Sequence, residues 1–170
     1  MTVHDHRRQA PQSVTCAVLT VSDTRTMETD RSGRLIAELL KDAGHSIKVT
    51  AIEKDEKDAI GLSLQRWLMD PKIEAILING GTGIAPRDVT IEVVQPLLDK
   101  ELPGFGELFR LLSFTDDIGS AAMLSRALAG SAAGKAIFTM PGSQGAVRLA
   151  MERLILPELG HIVSEIKKST

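Results

Sequence analysis

Cysteine occurs once, at Cys16, tyrosine not at all, and the aromatic rings are limited to Trp67, Phe105, Phe109, Phe114 and Phe138. A single cysteine excludes an intramolecular disulfide and any multi-cysteine zinc or iron–sulfur site, and it suits a reducing compartment. So few rings leave little material for the stacking platforms on which single-strand binders hold bases. Neither sign of charge dominates: 20 Lys and Arg stand against 22 Asp and Glu, a formal net charge of −2. No global field draws such a chain to a polyanion, so nucleic acid is not an expected partner. No apolar run approaches the ~18 residues of a membrane span, and the opening MTVHDHRRQAPQS lacks the apolar middle of a secretory signal. The expectation is a soluble cytoplasmic protein with no membrane association.

What is present is ample material for one core. The 170 residues are 43% hydrophobic, and at roughly 150 residues per domain they predict a single domain over 13–168, preceded by a loose polar tail over 1–12. The tail carries His4-Asp5-His6, which reads better as an unstructured segment than as a metal site. From Val14 to Val21 the chain is near-continuously apolar and β-branched, as in a strand buried on both faces of a parallel sheet. Leu35, Ile36, Leu39, Leu40 and Ala43 recur at helical spacing before Gly44, a helix-ending glycine. Ile47, Val49 and Ala51 alternate as in a strand, Ile60, Leu64, Trp67 and Leu68 form a helical stripe stopped by Pro71, and Ile73 to Ile78 make a third strand. Strands alternating with helices predict an α/β fold with right-handed crossovers and a mainly parallel sheet. Further on, Glu101 to Leu112 reads as a helix, Lys135 to Met140 as a strand, and Val147, Met151, Leu154 and Ile155 as a helix that Pro157 separates from a last one. Residues 115–134, rich in Ala, Gly and Ser, carry no clear period; their small side chains permit close packing, including packing between subunits.

The positions of the polar segments are more informative than their composition. Ser22-Asp23, Asp55, Gly80 to Gly83 and Pro141 to Ser143 each follow a predicted strand directly, and ligands of open parallel sheets bind beyond the carboxyl ends of the strands. The segment Asn79-Gly80-Gly81-Thr82-Gly83 can wrap an oxyanion, because glycines uncover backbone N–H groups and accept positive φ; a plain tight turn is the other reading. It is not the dinucleotide fingerprint, and Gly130-Ser131-Ala132-Ala133-Gly134-Lys135-Ala136 is one residue short of a phosphate-binding P-loop and reads as a turn. Asp88 and Glu92 are four apart and share a face if Arg87 to Glu92 is helical, where Asp88 or Thr90 could equally cap the helix. A carboxylate beside a phosphate-cradling loop raises anionic repulsion unless Mg²⁺ bridges them, which points to a metal–nucleotide complex, with Asp55 as a second carboxylate. Pro103-Gly104-Phe105-Gly106-Glu107 reads either as a bend exposing N–H groups at a helix start or as a plain helix-initiating turn with Phe105 as packing. His45 and His161 have no partners at metal-ligand spacing, and no nucleophile–histidine arrangement is readable.

Five motifs in order then resemble the MoaB/MogA family of molybdenum cofactor biosynthesis: Leu19 to Arg25 (LTVSDTR), Gly80 to Gly83 with Arg87-Asp88-Val89-Thr90, Pro103 to Glu107, Leu124-Ser125-Arg126-Ala127, and Met140-Pro141-Gly142-Ser143. The resemblance runs from about Val14 to Leu159, and the SDTR start with the MPGS ending is closer to the MoaB branch. It implies a three-layer α/β/α molybdopterin-binding fold and a homo-oligomer, trimer or hexamer. It also implies adenylylation of molybdopterin with ATP and Mg²⁺, pyrophosphate leaving, before transfer to a MoeA-like protein for molybdate insertion. A non-catalytic molybdopterin carrier in the same pathway is the alternative. By position, Asp55 and Asp88 match the family's functional aspartates and are the expected catalytic and Mg²⁺-holding residues. Gly80, Gly81, Thr82, Gly83, Pro141, Gly142 and Ser143 fall on its ligand loops, and Ser22, Asp23, Arg87, Gly104, Glu107 and Ser125 are expected to line the substrate or nucleotide site. One departure is Ile91, where the family pattern has Pro; since Pro in a first helical turn mainly pre-sets φ, the expected effect is small.

Overall fold

A computed structural model describes residues 13–168; the expected tail over 1–12, with its His4-Asp5-His6 triplet, lies outside them. Six strands form one sheet: β1 (Thr15–Val21), β2 (Ser46–Glu53), β3 (Ala75–Asn79), β4 (Lys100–Glu101), β5 (Leu128–Ala132) and β6 (Lys135–Met140), in the order β2-β1-β3-β6-β5-β4. The β2, β1, β3 and β6 strands pair in parallel, while β5 and β4 are antiparallel additions at one edge. The helices are α1 (Arg31–Asp42), α2 (Lys57–Met69), α3 (Thr90–Val94), α4 (Pro103–Asp116), α5 (Gln144–Ala150) and α6 (Leu156–Lys167). None is long and apolar enough to cross a membrane.

The alternation of side chains along each strand explains the three layers. In β1, Cys16 and Val18 enter a core with Ile36 and Leu40 of α1, Phe105 and Phe109 of α4, and Val147 and Val163 of α5 and α6. Ala17, Leu19 and Val21 point the other way, to Ile60, Leu64 and Trp67 of α2 and to Ile91 and Val94 of α3. A strand covered on both faces must be apolar throughout, which is why Val14 to Val21 shows no polar alternation. β2 lies at an edge, and its exposed residues alternate with half-buried ones. Phe105 stacks its edge on Phe138 at 5.5 Å between centroids, so the Pro103-Gly104 bend is a helix start with a core anchor.

Several sequence expectations need revision. The 115–134 segment holds a 3₁₀ turn, Gly119–Leu124, and the strand β5, whose short, small-residue run gives no legible period. Gly130 and Ser131 belong to that strand, and the turn is confined to Ala133 and Gly134, both at positive φ. The helix expected to stop at Leu112 continues to Asp116. Pro157 does not separate two helices: α5 passes through a π-helical turn, Met151–Ile155, straight into α6, and Pro157, which has no N–H to donate, stands just after that irregular turn. Asp88 and Glu92 do not share a helical face, because α3 begins only at Thr90.

Candidate functional site

The segments expected at the carboxyl ends of the strands do meet there. β1 ends into Ser22-Asp23, β2 into Lys54-Asp55, β3 into the glycine loop and β6 into Pro141-Gly142-Ser143. The Gly80 amide donates to Met140 O at 3.0 Å, joining the β3 and β6 ends. Asp23 accepts the Asp55 amide at 3.2 Å, joining those of β1 and β2. Arg25 Nη2 donates to Gly142 O at 2.9 Å and Ser32 Oγ to the same oxygen at 2.6 Å, pinning the last loop from below. Beneath them Asp30, buried and capping α1, accepts from Thr20 Oγ1 at 2.6 Å and from the Gly33 amide at 2.9 Å, and lies 3.7 Å from Arg25. Asn79, fully buried, donates to Thr20 Oγ1 at 2.9 Å. This polar floor is fully paired, as a buried network must be.

The glycine loop is drawn tightly over this floor. Gly80 has φ +93 and Gly81 φ +65, a region where side chains are disfavoured. A Cβ on Gly80 would collide with Val21 O, and one on Gly81 with Thr90 Oγ1. Thr90, read in the sequence only as a possible cap, instead turns inward and donates to Gly80 O at 2.8 Å, while its amide donates to Gly81 O at 3.1 Å. Asp88 is no helix cap either. Its Oδ2 accepts from the Ala85 amide at 2.9 Å, closing a turn just ahead of α3.

Both expected catalytic carboxylates lie against this one loop. A Cβ on Gly81 would stand 3.1 Å from Asp55 Oδ1, and one on Gly83 2.6 Å from Asp88 Oδ2. Burial, followed by the charges of Asp23 and Asp88, raises the Asp55 carboxyl above its ordinary value. Asp23 behaves oppositely: the hydrogen-bonded Arg87 guanidinium holds it below the usual carboxylate value. Arg87 therefore projects across the edge already paired, with Nε and Nη2 each 2.8 Å from an Asp23 oxygen. Two recesses open here. One, of about 390 Å³, is lined by Ser22, Asp23, Arg25, Thr26 and Lys54, and the other, of about 360 Å³, by Lys57, Ile84, Asp88, Glu92 and Arg126.

Other expected residues stand apart. Gly104 and Glu107 occupy the exposed start of α4, beyond β4 and separated from β3 by β6 and β5. No hydrogen bond or ion pair joins the Glu107 side chain to a described residue. Ser125 uses its hydroxyl locally, accepting from the Ala127 amide at 3.4 Å. Its neighbour Arg126 is what reaches the glycine loop, donating from Nε to Gly83 O at 2.8 Å and from Nη2 to Asp88 O at 3.1 Å. Arg25 and Arg126 were visible inside the SDTR and LSRA motifs; their role required knowing which carbonyls face them. Ser143 caps α5, its Oγ accepting from Ala146 N at 3.2 Å.

Relatives resemble this chain over nearly its whole length. The family model "Probable molybdopterin binding domain" matches residues 17–161. The Molybdenum cofactor biosynthesis protein B of Bacillus subtilis (strain 168) is 58% identical over 168 residues, 99% of each chain. A crystal structure of Molybdenum cofactor biosynthesis protein B superposes with a TM-score of 0.91 at 56% identity, over 95% of this chain and 100% of that one. A MogA structure superposes with a TM-score of 0.81 at 28% identity, over 89% of this chain and 99% of that one. The matched span contains the whole carboxyl edge of the sheet, with its glycine loop and both aspartates. By sequence and by fold, the chain belongs to the molybdopterin-binding family of molybdenum cofactor biosynthesis proteins.

Proposed function

We propose that the protein is a molybdopterin adenylyltransferase. An oxygen of the pterin's terminal phosphate attacks the α-phosphorus of ATP, the bond between that phosphorus and the α–β bridging oxygen breaks, and pyrophosphate leaves. The observation that carries this reading is the placement of Asp55 and Asp88 against one glycine loop. Pterin binding alone has no need of two carboxylates there, whereas phosphates on Mg²⁺ do.

The donor set suits such an ion. Among the described residues no group of three or more His, Cys, Asp or Glu forms a complete metal cage, and Mg²⁺ characteristically takes one or two carboxylates and completes its shell with water and substrate phosphates. Burial first, and then the charges of Asp23 and Asp88, raise Asp55, and a cation beside the carboxylate would offset both. Asp55 and Asp88 would hold it, and it would supply charge neutralisation on the reacting phosphates. The chain's own contribution is positioning: loop amides for phosphate oxygens, Arg87 for further charge, and no side-chain nucleophile. Molybdopterin and ATP are thus the substrates, and a MoeA-like protein is the acceptor of the product.

A homo-oligomer, trimer or hexamer, accompanies this reading. Leu108, Leu111, Phe114, Ile118, Met123 and Leu124 are half or more exposed along α4 and the turn after it, an apolar surface of the kind that marks association. Light scattering on the full chain tests it, with a monomer as the contrary result.

The deciding experiment is direct: purified protein, ATP, Mg²⁺ and molybdopterin, with pyrophosphate and adenylylated pterin measured. Tight pterin binding without Mg²⁺-dependent product would instead make the protein a carrier.

A further inference from the structure

We propose that Arg126 is a positioning residue that, together with Thr90, aims the backbone donors of the glycine loop at a phosphate. Only its consequence for turnover rests on the adenylyltransferase reading; the geometry stands alone. Four successive carbonyls of the loop are each held by the protein. Gly80 O and Gly81 O accept from the Thr90 hydroxyl and amide at 2.8 and 3.1 Å. Thr82 O and Gly83 O accept from the Arg126 amide and Nε at 3.3 and 2.8 Å. The same guanidinium reaches Asp88 O and is braced by both oxygens of Glu92.

Every described peptide is trans. In a planar trans peptide the C=O and N–H vectors point in opposite directions. Tying four consecutive carbonyls to Thr90 and Arg126 therefore turns the amides of Gly81, Thr82, Gly83 and Ile84 away from them. None of these four amides donates to a described residue. Backbone donors without a protein partner are satisfied by ligand or solvent, and a run of them makes a concave anion site. The shape of the cradle is thus set from behind, by side chains that need not touch the phosphate. Arg126 suits this task because its planar fork reaches Gly83 O, Asp88 O and Glu92 at once, which a lysine ammonium does not.

The test uses inorganic pyrophosphate as the probe, titrated calorimetrically onto the full chain, with thermal unfolding recorded for every variant. Arg126→Ala is expected to weaken pyrophosphate at least about tenfold, while Arg126→Lys, which retains the charge facing Glu92, recovers only part of the affinity. In turnover, the loss falls on kcat and on the KM of whichever substrate has its phosphate in the cradle. Unchanged pyrophosphate affinity in folded Arg126→Ala overturns the proposal. If Arg126→Ala does not fold, wild-type affinity in folded Arg126→Lys overturns it equally, as does a wild-type protein that binds no pyrophosphate. Arg126-dependent pyrophosphate binding without adenylylated product supports the positioning role and removes the adenylyltransferase reading instead.

Discussion

The guanidinium of Arg87 donates to both carboxylate oxygens of Asp23, each at 2.8 Å, across a sequence separation of 64 residues. The Arg87 cation, exposed at this edge, is thus already neutralised in the free protein. An incoming anion has to share Arg87 or displace Asp23 from it. Asp23→Asn leaves Arg87 without its paired charge, and the expected result is tighter binding of ATP or pyrophosphate, about three- to tenfold at low salt. Because the pair is solvent-exposed, the gain should shrink as ionic strength rises. Titrations at two salt concentrations check both statements, and equal affinity of the two proteins at low salt would remove Arg87 from the phosphate site.

Asp88 supplies a carboxylate to the loop and closes the turn ahead of α3 through the Ala85 amide. Asp88→Asn keeps the volume and an acceptor oxygen for that amide, so the fold and pterin binding should survive. Losing the charge that holds a cation should cost turnover about a hundredfold or more. The rate of pyrophosphate release, set against pterin affinity in the same preparation, separates the two effects. An unchanged rate would end the catalytic assignment of Asp88.

Asp55 is raised by burial and by the neighbouring charges of Asp23 and Asp88. A role in holding a cation needs the ionised form, so turnover should fall as pH drops through a pKa above the ordinary carboxylate value. Asp23→Asn removes one of the repelling charges and should move this acid limb to lower pH. For stability the sign is opposite to that of a salt-bridged carboxylate. A carboxyl raised on folding favours the folded state below its unfolded pKa, and the contribution is lost as pH rises through the folded one. Asp55→Asn should therefore raise the melting temperature at neutral pH and not at pH 3, which thermal scans at the two pH values test.

The parts of the fold legible in the sequence are those where one force dominates. β1 and β3 read as strands because burial on two faces demands unbroken apolar runs, and α1 and α2 because one face of each is buried at helical spacing. β5 is Leu-Ala-Gly-Ser-Ala; its pairing with β6 rests on backbone bonds and close approach, which leave no hydrophobic period. The site was legible as a place, since residues after parallel strands must share an edge. Its wiring was not. Asp23 pairing with Arg87, Thr90 turning inward to Gly80 and Arg126 gripping Gly83 join residues 10 to 64 apart, and polarity alone does not say which donor meets which carbonyl. The motif around Gly104 and Glu107 was legible as a helix start, and the structure adds that Phe105 anchors it in the core.

Gly81 and Gly104 should respond in opposite ways to the same substitution. At Gly81, with φ +65, alanine meets a strained backbone, and its Cβ would collide with Thr90 Oγ1 and crowd Asp55 Oδ1 at 3.1 Å. The strain alone is worth about 1–3 kcal/mol, so Gly81→Ala should lower the melting temperature by several degrees and disturb both the cradle and Asp55. Adding Thr90→Ala removes the colliding oxygen but also the bond to Gly80 O. The two changes should then be non-additive, the double variant being more stable than the sum of the singles, as expected for residues in contact. At Gly104, in the first turn of α4, nothing lies within 4 Å of a Cβ, and alanine is favoured over glycine in a helix by up to about 1 kcal/mol. Gly104→Ala should therefore be neutral or stabilising. Its turnover decides a separate point: wild-type kcat and KM would remove Gly104 from the substrate site, whereas a loss of activity in this more stable protein would place a ligand against the start of α4.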